Sequence, residues 1–182
     1  MKKDRIFDIT LIALMAAVIC VCSWITVPIG AVPFTLQTFG VFLALRFLGG
    51  KKGTAAIIVY LLIGAAGLPV FSNFGAGIGK ILGPTGGYML GFIFSGITVI
   101  LLEKFDTRSR YLRIITDSIA LFGCYALGTV WFYMFVGRQS GMSIYAVLSA
   151  CVIPFIIPDI TKIAFAEIIA LKIPTKVKRS FL

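Results

Sequence analysis

The chain has 182 residues, of which 59% are hydrophobic, with a mean hydropathy of +1.04 and a net charge of +10. Soluble domains average about 45–50% apolar with glycine included, and the figure here leaves out 19 glycines. The composition therefore excludes an ordinary soluble domain and predicts one integral-membrane domain over residues 1–182, too short for a second. No histidine is present, which removes the commonest general base and transition-metal ligand, so neither a catalytic residue nor a metal site is expected.

In chain order the apolar runs predict an all-α protein with six transmembrane helices. The first covers residues 6–27. It follows Lys2, Lys3 and Arg5 as a signal peptide would, but it is long, lacks a clear small-residue cleavage site and precedes further spans, so it reads as a retained helix. An uncharged Pro/Gly turn over 28–33 leads to helix 2, residues 35–48, which Gly49-Gly50-Lys51-Lys52-Gly53 ends. Helix 3 covers 54–68, and a long glycine-rich connection over 69–87 reaches helix 4, residues 88–102. A charged connection over 103–113 precedes helix 5, residues 114–136, and a turn at 137–141 precedes helix 6, residues 143–171. Pro154 and Pro158 are expected to interrupt helix 6, because each removes a backbone donor and clashes with the preceding turn. Helices 2 and 3 are short for a core of roughly 30 Å and are expected to be tilted, partly re-entrant or shielded by loops. Cys20, Cys22, Cys124 and Cys151 lie in apolar runs and read as small packed hydrophobes.

The basic residues give an orientation. Lys2, Lys3 and Arg5; Arg46, Lys51 and Lys52; Lys104, Arg108, Arg110 and Arg113; and Lys172, Lys176, Lys178 and Arg179 fall on one side of a six-span chain, fourteen of the 17 in all. Lys80 and Arg138 fall on the other, and Lys162 within the membrane. The positive-inside rule then places both termini in the cytoplasm, at a cell membrane. This placement accounts for the charge by topology and contact with anionic lipid, without nucleic acid.

Pro158-Asp159-Ile160-Thr161-Lys162 is the most informative stretch. Asp159 and Lys162 stand three apart and share one helix face. At a rise of 1.5 Å per residue, Lys162 lies about 15 Å from Lys172, near the midplane. Intramembrane charges face a cavity, a partner or a ligand, and buried ion pairs rarely outperform hydrophobic replacements in stability. The pair either holds helices together or reads a polar small molecule.

Two outer connections converge on that half of the membrane. The first contains Pro33-Phe34-Thr35-Leu36-Gln37-Thr38, which offers an apolar ring beside neutral hydrogen-bonding groups. These groups serve either as interhelical glue or as the orienting contacts of an apolar pocket. The second runs through Asn73, alternating glycines, Lys80 and Leu82-Gly83-Pro84-Thr85-Gly86-Gly87-Tyr88. Such a loop serves as a lid, a binding loop or a re-entrant hairpin, or else is a flexible linker. The spacing of a phosphate loop is absent. On helix 1, Ala13, Ala16 and Ala17 form a small-residue stripe for close helix approach, within the chain or to a partner. No ATP-binding motif and no hydrolytic set occurs, so primary active transport would need another subunit.

On these motifs, together with Leu61-Leu62-Ile63-Gly64-Ala65-Ala66-Gly67-Leu68-Pro69-Val70-Phe71, the sequence resembles the BioY family over nearly its whole length. That family comprises the biotin-specific S components of energy-coupling factor (ECF) vitamin transporters. The resemblance implies a six-helix S-component bundle, an outward-facing high-affinity biotin site, and a complex with a transmembrane T subunit and two ATPase subunits. It also implies that Ala13, Ala16 and Ala17 dock the T subunit, that the component topples to deliver its vitamin, and that biotin is cargo, with no cofactor. Biotin has a ureido ring with two N–H donors and one carbonyl, an apolar sulfur ring, and a carboxylate on a short chain. Asp159 is expected to accept from a ureido N–H. Lys162 meets either the ureido carbonyl or the carboxylate. Thr35, Gln37, Asn73, Gly83, Thr85 and Tyr88 are expected to add polar or backbone contacts, and Phe34, Leu36, Phe71 and Leu82 apolar walls. The rival readings are an ion-coupled carrier that uses Asp159 and Lys162 as a relay, and a membrane enzyme or assembly factor with a structural charge pair.

Overall fold

A computed structural model describes residues 2–28, 32–106 and 109–172. Helix α1 covers Lys2–Trp24, and a two-residue hairpin follows, β1 Thr26–Val27 paired antiparallel with β2 Phe34–Thr35. Next come α2 Gln37–Leu48 and α3 Gly50–Ala65, a 3-10 turn at Ser72–Phe74, and the four-residue α4 Ile78–Ile81. The chain continues through α5 Gly86–Asp106 and α6 Arg110–Phe132, a π turn at Tyr133–Gly137, α7 Ile144–Cys151 and α8 Ile153–Lys172.

The structure is predominantly helical, as expected, with the small hairpin as an unforeseen addition. Among the described residues four segments are long and apolar enough to cross a membrane: Arg5–Trp24, Gly86–Phe105, Arg110–Gly137 and Ile144–Lys172. At 12 and 16 residues, α2 and α3 fall short of the roughly 20 that a span needs.

Helix α2 sits at the centre. It packs against α1, α3 and α8, and all its residues are buried except Phe39 and Arg46. A helix apolar on every face belongs inside a bundle, and this burial places Gln37, at its first turn, among the outer loops. On α8 the buried positions are Phe155, Asp159, Lys162, Ile163, Ala166, Glu167 and Ala170. They recur at three- and four-residue steps, so Asp159 and Lys162 lie on the stripe that faces the core.

The two prolines of the last segment act differently. The break falls at Val152 (φ −127°, ψ −56°) between α7 and α8, where the Pro154 ring would clash with the carbonyl of residue 150. Pro158 lies inside α8 without ending it, contrary to expectation. One lost bond near the start of a packed helix is tolerated.

The end of the bundle away from the loops is ionic. Asp8 Oδ1 and Lys52 Nζ are 2.7 Å apart, and the Gly50 N–H donates to Glu103 Oε2 at 2.9 Å. Arg46 Nε donates to Asp117 Oδ2 at 2.7 Å while its Nη2 donates to the Arg113 carbonyl at 2.8 Å. Arg113 Nη1 donates to Glu167 Oε1 at 3.2 Å. Glu167 is 0% exposed. These contacts gather Arg46 of α2, Lys52 of α3 and Arg113 of α6 at one end, with Asp8 of α1 as one of their acidic partners.

Candidate functional site

At the other end, a cavity opens between the hairpin, the loop before α5, and helices α2, α5, α6, α7 and α8. Its floor is built around the charge pair. Lys162 Nζ lies 2.7 Å from Asp159 Oδ1 and donates to the Thr35 carbonyl, also at 2.7 Å. It stands 3.8 Å over the centre of the Phe34 ring, a cation–π contact. Asp159 Oδ2 accepts from the Tyr125 hydroxyl at 2.6 Å. One pair thus ties α8 to β2 and α6. It is neutral as a unit, and each charge has a second partner. Ionised Asp159 keeps lone pairs to spare, because a carboxylate offers about four acceptor positions.

The walls are mixed. Gln37 Nε2 donates to the Tyr60 hydroxyl on α3 at 3.0 Å, which sets the orientation of the amide. The Thr35 hydroxyl accepts from the Gln37 N–H at 3.2 Å, so it holds the start of α2. Tyr88 lies against Gly128 so closely that a Cβ there would meet its ring at 2.1 Å; only glycine admits the ring at that position. The Tyr88 hydroxyl is buried with no hydrogen-bond partner among the described residues, a polar group left over at the cavity wall. Met89, Phe92, Leu121, Cys124, Cys151 and Phe155 supply apolar surface.

The cavity has about 650 Å³ of unfilled space with its mouth included, but only about 70 Å³ is wide enough for the centre of a water molecule. It is a crevice, and a ring-sized ligand requires its walls to separate. Beyond it lies a wider vestibule, with about 350 Å³ open to the centre of a water molecule, lined by Pro28, Asn73, Lys80, Gly83 and Pro84 among others. Pro33 and Thr85 line both spaces, so the two adjoin.

The sequence-predicted residues divide accordingly. Asp159, Lys162, Thr35, Gln37, Thr85 and Tyr88 line the crevice. Asn73 and Gly83 line the vestibule instead, because Asn73 sits on a left-handed turn (φ 56°) at the exposed edge of the loop. Phe34 lies behind the crevice, between Lys162 and the Phe155 ring. Leu36 precedes α2 and lines neither space. Phe71 is fully buried edge-on to Tyr60, so it anchors the loop, while Leu82 is 54% exposed and forms no wall. Ala13 and Ala17 lie on the open face of α1, but Ala16 is 1% exposed and packs into the core, which separates it from that stripe.

Met89, Phe92, Leu121, Cys124, Tyr125, Cys151 and Phe155 are walls that sequence reading missed. Tyr125 had one usable signal: a hydroxyl in the middle of an apolar helix needs a partner. Both tryptophans of the chain also proved to be anchors. Trp24 Nε1 donates to the Pro69 carbonyl at 2.8 Å and Trp131 Nε1 to the Gly83 carbonyl at 2.9 Å, pinning the outer loop near its two ends.

The model of the BioY family matches residues 1–179. The chain is 41% identical over 162 residues to the biotin transporter BioY of Thermotoga maritima, covering 88% of this chain and 91% of that one. It is 41% identical over 163 residues to the probable biotin transporter BioY of Pyrococcus horikoshii, covering 90% and 93%. Among solved structures, it resembles the S-component for biotin from an ECF-type ABC transporter, with a TM-score of 0.83 and 25% identity over 93% of this chain and 92% of the other.

Proposed function

This chain belongs to the BioY family, and from that premise we propose that it captures biotin at the outer face of a cell membrane as the S component of an ECF-type transporter. Its relatives are named as transporters, and the chain is a transport protein rather than an enzyme. Biotin is the cargo and not a cofactor. One observation carries the reading: a neutral Asp159–Lys162 pair, each member held by a second partner, at the floor of a mostly apolar crevice.

The chemistry matches the two ends of a ureido ring. Asp159 has acceptor capacity left after Lys162 and Tyr125, so it accepts from a ureido N–H, and the nearby ammonium strengthens that bond in a dry site. The third N–H of Lys162 is available to the ureido carbonyl. The Tyr88 hydroxyl, which has no protein partner among the described residues, joins the polar contacts. The aromatic and thiol-bearing walls take the sulfur ring. The crevice widens on binding through the hairpin and the pinned loop.

The membrane arrangement belongs to the same proposal: six helical segments in one domain, both termini cytoplasmic, and the loop end outward. The contacts among Asp8, Lys52, Arg46, Arg113 and Glu167 support it, because they collect the basic groups at one end. The partners are a T subunit, docked on the open face of α1 at Ala13 and Ala17, and two ATPase subunits that supply the energy this chain lacks a motif to provide.

A biotin titration of the detergent-purified chain, by calorimetry, tests the reading. Saturable binding by the isolated chain is expected. A folded chain that binds no biotin would refute the assignment and return the charge pair to a helix-holding role.

A further inference from the structure

We propose that Lys80 holds the carboxylate of the ligand in the vestibule, outside the crevice that takes its rings. The inference rests on the biotin reading and decides which lysine meets which end of the molecule.

Charge accounting comes first. Among residues lining the two adjoining spaces, the charged side chains are Asp159, Lys162 and Lys80. Asp159 and Lys162 neutralise each other at 2.7 Å, and Lys162 is further engaged by the Thr35 carbonyl and the Phe34 ring. The Lys80 ammonium has no hydrogen bond or ion pair among the described residues, the residue's hydrogen bonds being those of its backbone to Gly77 and Gly83. The combined site therefore carries one uncompensated positive charge, which suits a ligand with one carboxylate.

The side chain is also placed for this role. Its aliphatic stem lies along Gly75: a Cβ on that glycine would come within 3.1 Å of Lys80 Cε and 3.3 Å of Cδ. The stem thus folds back over its own loop. The loop is itself pinned, by Trp24 at Pro69, by Trp131 at Gly83 and by the Gly77 N–H donating to the Gly64 carbonyl at 2.8 Å. With the rings against Asp159, a chain leaving the crevice past Pro33 and Thr85 enters the vestibule that Lys80 lines.

The test compares biotin with its neutral primary amide on three purified full-length chains: wild type, Lys80→Gln and Lys80→Arg. A half-exposed charge-assisted contact predicts that wild type prefers biotin to the amide by about 5- to 20-fold. Lys80→Gln should lose that preference by weakening biotin alone, and Lys80→Arg should retain most of it. Equal weakening of both ligands in Lys80→Gln would make the residue a loop support, and unchanged affinity for both would leave it without a role; either overturns the proposal. Wild-type binding of biotin with no preference over the amide would overturn the Lys80 assignment while leaving the biotin reading intact. Wild-type binding of neither ligand would remove both.

Discussion

Substituting Asp159 and Lys162 singly and together separates holding helices from holding a ligand. In the wild type the two side chains are 5% and 9% exposed and 2.7 Å apart. Removing one member of a buried pair strands the other charge and costs about 3–5 kcal/mol. Asp159→Asn should cost less, about 2–3 kcal/mol, because Lys162 keeps the Thr35 carbonyl and the Phe34 ring and the amide still offers an acceptor. Lys162→Met should cost the full amount, since the carboxylate is left with the Tyr125 hydroxyl. In the double variant no charge is stranded, and stability should return to within about 1 kcal/mol of wild type. Affinity should not return. A charge-assisted bond to a ureido N–H contributes about 1.5–3 kcal/mol, so Asp159→Asn and the double variant should both bind biotin about 10- to 150-fold more weakly. Melting in detergent at a fixed scan rate reads the first quantity, and calorimetric titration the second. A double variant that is stable and binds like wild type would refute the ligand role. One as unstable as the sum of its single changes would refute the coupling.

Other consequences are checked separately. Trp131→Phe removes the bond to the Gly83 carbonyl, a loss of about 0.5–1.5 kcal/mol, and should speed biotin release by about 2- to 12-fold in a stopped-flow chase; an unchanged rate would show that the loop is not gripped there. Glu167→Gln breaks a buried ion pair about 7.5 Å along α8 from Lys162, so it should lower the melting temperature and leave the biotin Kd unchanged. Phenylalanine at both Ala13 and Ala17 should abolish uptake in cells and spare binding by the purified chain, because both residues lie on the open face of α1; lost binding would mean that the face serves internal packing.

The charge pair was legible because two ionisable groups in an apolar run demand an explanation, and Gln37 because its amide sits at the mouth of a buried helix. The remaining crevice walls were not. Cys124, Cys151 and Phe155 resemble any packed side chain until the helices are assembled, and nothing in their spacing marks them as facing a void. Arg46 shows a different gap. It reads as a topology charge at the end of a helix, yet it is tied to fully buried Asp117, a residue with no local pattern to mark it. Asn73 was placed correctly on the loop but not in depth, since the left-handed turn that turns it outward depends on how the loop is anchored. Pro158 was misread because proline weakens a helix by an amount that packing on α2 and α6 offsets.

The spacing of Asp159 and Lys162 on one helix also bears on how the protein enters its membrane. Each residue alone raises the cost of inserting a helix centre by about 2.5–3.5 kcal/mol, several times what one leucine or isoleucine recovers. Helix α8 carries the counter-ion of its central charge with it, one turn away, so the Asp159–Lys162 pair enters the membrane as a neutral unit before any other helix is beside it, whereas Glu167 nearer the helix end waits for Arg113 of α6. Arg46 and Asp117 have no such provision: their partners reside on different helices, and their charges are matched only after those helices meet. The last long segment is thus the one whose central charges need no assistance from the rest of the chain during biogenesis.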